Sequence, residues 1–230
     1  MAGHASERAV KDDRRGKPGR GLREPVNGLT HIFGAVAALV VTVPLVVQTQ
    51  GGWIEHLATA VFGFTSVVLF VASSLLHSLW VGERHAVWLR RFDHAAIFLL
   101  IAGTYTPILL VALRPQSPRL AWALLVIVWL MAAAGLIFKL VWIEAPRWLS
   151  TGIYLAMGWL VVGAIAPIVR ALGWTGTTWL ALGGLCYTVG AVIYGLKRPN
   201  PWRNVGFHEI WHVLVLLGWA CHTVMIFAVT

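Results

Sequence analysis

The sequence predicts an all-α fold: a polytopic membrane protein, a bundle of seven transmembrane helices with a cytoplasmic N-terminus and an extracytoplasmic C-terminus. Three observations lead there. Of the 230 residues, 58% are hydrophobic and only 12% charged, more apolar surface than one soluble core of this size can bury. The apolar residues fall into runs of about 20, the length that crosses a bilayer as a helix. The basic residues, which give a net charge of +9, gather in the breaks between runs, as in an oriented membrane protein rather than a nucleic-acid binder.

Residues 1–23 carry seven Lys or Arg among Gly and Pro and hold no apolar run. This predicts a disordered basic tail without the apolar segment of a signal peptide. The remainder, 24–230, reads as one membrane domain with spans at 26–48, 53–81, 92–113, 119–140, 148–169, 175–196 and 206–229. The breaks are Gly51-Gly52, the polar stretch from Gly82 to Arg91, Arg114-Pro115 to Pro118, Glu144-Ala145-Pro146, Gly173, and Lys197-Arg198-Pro199-Asn200-Pro201. Pro44, Pro107 and Pro167 fall near expected helix ends, where a missing backbone donor costs little. Cys186 and Cys221 lie inside apolar runs and imply no disulfide framework. Many of the 13 Trp, among them Trp53, Trp80, Trp88, Trp142, Trp148, Trp174 and Trp202, sit at span ends as an interfacial belt.

Orientation follows from the cations. With seven spans, fifteen of the eighteen Lys and Arg fall on the side of the N-terminus; Arg114, Arg119 and Arg170 fall on the other. The positive-inside rule makes the first side cytoplasmic.

That topology brings polar residues to one depth. His208-Glu209-Ile210-Trp211-His212 puts two imidazoles four apart on one helix face, the spacing of a metal-binding pair. His77, late in the second span, and Asp93, early in the third, share their level, as do Glu24, Asn27, Thr30 and His31. His77, His208 and His212 supply three nitrogens to one zinc ion and leave its fourth position open, the ligand count of a catalytic site. Water in that position has its pKa lowered to about 7. Asp93 is the candidate general base, and Ser73, one turn before His77, a candidate donor to the water or an oxyanion. Each has a plainer alternative: a hydrogen-bonded histidine cluster, or Asp93 paired with Arg90 or Arg91. His94 reads as a helix-packing hydrogen-bond donor, and His31 is open between that and a site role with Glu24 and Asn27 around it. His56 and His222 lie toward the opposite surface. Glu209 is open too: it stands where a metalloprotease carries its base, yet about 100° around the helix from His208.

Glu24-x-x-Asn27-x-x-Thr30-His31-x-x-Gly34, Ser73-x-x-x-His77, Asp93, Gly103-Thr104-Tyr105-Thr106-Pro107 and His208-x-x-x-His212 together resemble the hemolysin III family of bacterial membrane proteins. That family is similar to the progestin and adipoQ receptors, which include the adiponectin receptors, and more remotely to alkaline ceramidases. The resemblance implies seven helices and a zinc ion on His77, His208 and His212, with Asp93 reaching it through water. For the receptor and ceramidase relatives it also implies hydrolysis of a lipid amide inside the bilayer. A residue matching Glu209 looks to be Gln in the adiponectin receptors, which argues against an indispensable base there.

The expected function is therefore zinc-dependent hydrolysis of membrane lipid amides or esters, linked to lipid composition, by a multi-pass protein of the bacterial inner membrane. Membrane lipids are the expected partners, with a lipid amide or fatty acid as ligand in the bundle and no nucleic acid. Three alternatives stay open: a non-enzymatic receptor or sensor with structural zinc, a pore-forming cytolysin, and an intramembrane zinc protease.

Overall fold

Helix is what this composition requires in a membrane, because every backbone group must find its partner inside the segment. The computed structural model describes residues 22–202 and 205–230; the tail predicted over 1–23 falls outside the described residues up to residue 21, as does Arg203. Among the described residues there is no strand, only an isolated bridge between Trp202 and Val205.

Helix α1 runs Pro25–Gln48, with proline in the first turn, where its missing N–H is not needed. It turns at Gly51, which takes φ 113°, into α2, Trp53–Ser78. Helix α3 spans Glu83–Pro107 and continues as a π-helical turn over Ile108–Leu113. It thus begins nine residues before the predicted 92–113. The polar stretch from Glu83 to Arg91 is helical as well, but hydropathy registers only the apolar part of a helix. Helix α4 is Pro118–Val141 and α5 is Arg147–Gly158. A 3₁₀ segment, Trp159–Ala164, joins α5 to α6, Ile165–Leu196, and α7 closes the chain at Phe207–Phe227.

Among the described residues, six stretches are long and apolar enough to cross a membrane. The predicted spans 148–169 and 175–196 lie in one of them, the fifty residues Arg147–Leu196. Inside it the backbone leaves the helix at Gly173, with φ 65° and ψ −179°. Pro167, expected near a helix end, stands just after the 3₁₀ segment, as the third residue of α6. A residue there needs no N–H, because the first turn of a new helix leaves its amides without intrahelical partners. Tyr105 holds this irregular stretch: its hydroxyl donates to the Gly158 carbonyl at 2.7 Å and accepts from the Val161 amide at 2.9 Å. The Gly103-Thr104-Tyr105-Thr106-Pro107 motif therefore supports backbone that α geometry no longer satisfies.

The bundle is polar in places within and apolar without. Helix α3 is its centre, with Phe98, Leu100, Ile108 and Leu113 buried. On α1, Asn27, His31 and Ala38 face inward while Val40, Val43 and Val47 are more than 60% exposed, a surface suited to lipid tails. The seven tryptophans assigned to the interfacial belt are all exposed. Cys186 and Cys221 are free thiols.

The start of α1 and the last residue tie to opposite ends of the bundle. The Glu24 amide donates to the His77 carbonyl at 2.9 Å, joining the start of α1 to the end of α2. The Gln50 amide donates to the Thr230 carbonyl at 3.0 Å, joining the last residue to the α1–α2 turn.

Candidate metal centre

Alternation of helix direction brings the start of α1, the end of α2, the start of α3 and the start of α7 to one end of the bundle. There the three histidines meet. His77, His208 and His212 each offer a ring nitrogen, and the three nitrogens lie within 4.8 Å of one another. Their ring centroids are 4.7 to 5.2 Å apart.

The donor set fits a metal ion on two counts. The His77 Nδ1 lies 2.6 Å from Glu24 Oε2, and its Nε2 is buried without any partner. A carboxylate on Nδ1 holds the proton there and leaves Nε2 as a free lone pair, the usual arrangement behind a metal-bound imidazole. On α7, His208 Nε2 and His212 Nε2 stand 3.3 Å apart. Two nitrogens at 2.0 to 2.1 Å from one tetrahedral zinc are separated by about 3.3 Å. These three residues can hold a metal ion.

The carboxylate behind His77 is itself held. Burial raises the Glu24 carboxyl, but hydrogen bonds from His77, Arg23 and Asn27 outweigh that and hold it well below the ordinary carboxylate range. Asn27 also donates to Glu209 Oε1 at 2.9 Å, while Glu209 Oε2 accepts from the Gly206 amide at 2.8 Å. Glu209 thus caps the first turn of α7 and ties it to α1, so its position in the His-x-x-x-His turn has a structural explanation. The Gly206-Phe207-His208-Glu209 spacing was the available signal, since a carboxylate at the third helical position reaches back to the capping amide.

His31 stacks on His212, with centroids 3.9 Å apart and planes at 29°, and stands edge-on to Phe70 at 5.2 Å. It is 3% exposed, and both its nitrogens lack a partner. His31 thus lies in ring contact with the triad as the wall behind one of its members.

Asp93 and Ser73 line the same cavity as the triad, a space of about 600 Å³. Among the described residues Asp93 makes no ion pair with Arg90 or Arg91. His94 lines the far wall, but its Nδ1 has no partner; the helix-to-helix bond expected of its ring is made by its carbonyl, which accepts from Tyr154 at 3.1 Å. His56 and His222 are outside the site, bonded to the carbonyls of Gly52 and Leu180.

A second cavity, about 230 Å³ and lined largely by apolar side chains, shares Leu69, Ile97, Tyr154, Trp211 and Val215 with the first. The polar chamber and the apolar one therefore have walls in common. Lys139, used in the sequence only as an orienting charge, also lines the polar chamber.

Residues 20–223 match the model of a family described as haemolysin-III related. The chain is similar to a hemolysin-3 homolog of Bacillus subtilis (strain 168), 37% identical over 199 residues covering 85% of this chain and 88% of that one. It is 30% identical to the monocyte to macrophage differentiation factor of Homo sapiens over 85% of this chain and 79% of the relative. It is 27% identical to the adiponectin receptor protein of Drosophila melanogaster over 86% of this chain and 49% of the relative.

Proposed function

Since the chain belongs to the haemolysin-III-related family and is a multi-pass membrane protein, we propose that it is a zinc-dependent hydrolase of membrane lipid amides or esters. The observation that carries this reading is the junction of the two cavities. Asp93 and the imidazoles of His77, His208 and His212 are among the residues lining one, hydrocarbon-lined walls form the other, and Leu69, Ile97 and Tyr154 belong to both. A lipid laid across that junction has its tail among apolar side chains and its polar linkage beside the histidines.

His77, His208 and His212 hold the ion in this reading, and Glu24 fixes the tautomer of His77. When bound, zinc supplies a Lewis acid for a carbonyl oxygen and acidifies water. Asp93 takes the proton from the attacking water and returns it to the leaving group. Ser73, which lines the same cavity, offers its hydroxyl to Asp93 or to the water. Leu69, Ile97 and Val215 exclude bulk water from the tail side.

The reading includes seven crossings, with the N-terminus in the cytoplasm and the C-terminus outside. Two facts support that count. The fifty residues of Arg147–Leu196 would extend about 75 Å as one straight helix, against a hydrocarbon layer of about 30 Å, and they bend at Gly173. The start of α1 and the end of α7 tie to opposite ends of the bundle, in keeping with an odd number of crossings.

A non-enzymatic sensor is the second reading. It is favoured by the links that join α1 to α2 and α7 without any ion, Glu24 to His77 and Asn27 to Glu209. Asp93→Asn separates the two. Purified wild type incubated with lipid extract should release fatty acid in a metal-dependent way; Asp93→Asn should bind metal equally and release at least about 100-fold less. Absence of any metal-dependent release from wild type sinks the hydrolase.

A further inference from the structure

Lys139 is the most anomalous charge in the bundle. It is the third-last residue of α4 and is 2% exposed, in a helix otherwise apolar around it. Its ammonium donates to the Ser150 hydroxyl and lies 5.2 Å from the Phe138 ring centroid. Among the described residues no carboxylate pairs with it. A hydroxyl and a ring face do not neutralise a buried cation, and in a membrane helix such a charge is expected to have a counter-ion.

The surroundings add positive charge instead. Arg90, His94 and Arg147 line the same chamber as Lys139, and the Arg147 guanidinium is held over the Tyr194 ring at 5.2 Å. Glu144 lines the same cavity but is exposed and forms no ion pair with these cations among the described residues. Unused hydrogen-bonding capacity is present as well. The Thr151 hydroxyl, on a residue 8% exposed, and His94 Nδ1 are buried without partners. Lys139, Ser150, Thr151, His94, Arg90 and Arg147 all line the polar chamber, on the wall formed by α3, α4 and α5. The three histidines of the metal centre lie on α2 and α7.

We infer that this wall is an anion-binding station, taking the phosphate of an acidic lipid or a free phosphate, with Lys139 as its central charge. Phosphate oxygens accept from an ammonium and from hydroxyls at once, and guanidinium groups at the mouth draw the anion in. The shared walls with the apolar cavity let a phospholipid place its tail there while its headgroup meets Lys139. The station goes beyond the proposed hydrolase, because none of its residues belongs to the histidine triad.

The test is native mass spectrometry of the full chain in detergent, with phosphatidic acid and with diacylglycerol of the same acyl chains. Wild type should prefer phosphatidic acid by at least about tenfold, as expected of one charge-assisted hydrogen bond to a buried group. Lys139→Met should lose that preference and Lys139→Arg should keep it. Metal content reports whether each variant is folded; should Lys139→Met not fold, Thr151→Val should reduce the preference in its place. Displacement of the lipid by millimolar inorganic phosphate would identify the phosphate group alone as sufficient; no displacement would identify the lipid as the source. The preference should survive in His208→Ala, so a failed hydrolase leaves this result intact. Equal binding of the two lipids by wild type, or the same preference in folded Lys139→Met, overturns the station.

Discussion

Asn27 donates to Glu209 across 2.9 Å, from the first turn of α1 to the first turn of α7, 182 residues away in the chain. Glu209's other oxygen closes the cap on Gly206, so both oxygens are engaged away from the histidine nitrogens. A protease that uses the same His-Glu-x-x-His letters needs that carboxylate for its water, whereas here it carries a cap and an inter-helix bond. Glu209→Ala should lower stability by about 1 to 2 kcal/mol, a lost cap and a lost inter-helix bond, read as thermal unfolding in detergent. Metal content at saturating zinc should be unchanged. If Glu209→Gln instead abolished lipid turnover while folding and metal loading stayed intact, Glu209 would be a base after all.

Glu24 stands behind His77, and its removal should weaken the metal site without emptying the cavity. Glu24→Ala is expected to lower zinc affinity 10- to 100-fold by leaving the His77 tautomer unfixed, measured by titration with a competing chelator. The carboxyl also sets a pH dependence. Its pKa is depressed in the folded state, so its contribution to stability is fully present above the ordinary carboxylate value of about 4.3 and is lost as pH falls below it. Wild type should therefore lose stability between about pH 5 and 3 relative to Glu24→Gln, whose amide does not titrate. Parallel pH profiles for the two proteins would contradict this.

How much of this could be read beforehand differs by residue. Alternating apolar runs and cations placed His77, His208 and His212 at one depth, because helix direction reverses at each crossing and depth follows from count alone. The break at Gly173 was legible because glycine between two apolar runs marks a turn. The helical extension from Glu83 to Arg91 was not, since a polar helix outside the apolar layer has no hydropathy signal. Azimuth was the other blind spot. Depth does not say which way a side chain turns, so the stacking of His31 on His212 and the burial of Lys139 against Ser150 required packed helices.

His31 supports a ring and need not bind the ion. Replacing it with Phe keeps an aromatic face against His212 and the edge contact with Phe70, so zinc affinity should stay within about threefold of wild type. His31→Ala removes that face, and affinity should fall by about tenfold as His212 loses its fixed orientation. Should His31→Phe lose zinc as completely as His208→Ala, the nitrogens of His31 would be ligands.

Two glycines allow backbone and packing to be told apart. At Gly173 a Cβ would meet nothing within 4 Å, but φ 65° with ψ −179° is a conformation essentially confined to glycine. Gly173→Ala should therefore cost about 1 to 3 kcal/mol through the backbone alone and leave zinc affinity untouched. Gly34 has ordinary helical backbone, yet a Cβ there would lie 2.7 Å from Phe70 Cδ1. Gly34→Ala must push Phe70, Phe70 stands against His31, and His31 against His212, so this substitution should weaken zinc binding as well as stability. Chelator titration beside thermal unfolding reads both quantities on both variants. Equal effects on zinc from the two would mean that the Phe70–His31 stack does not position the metal centre.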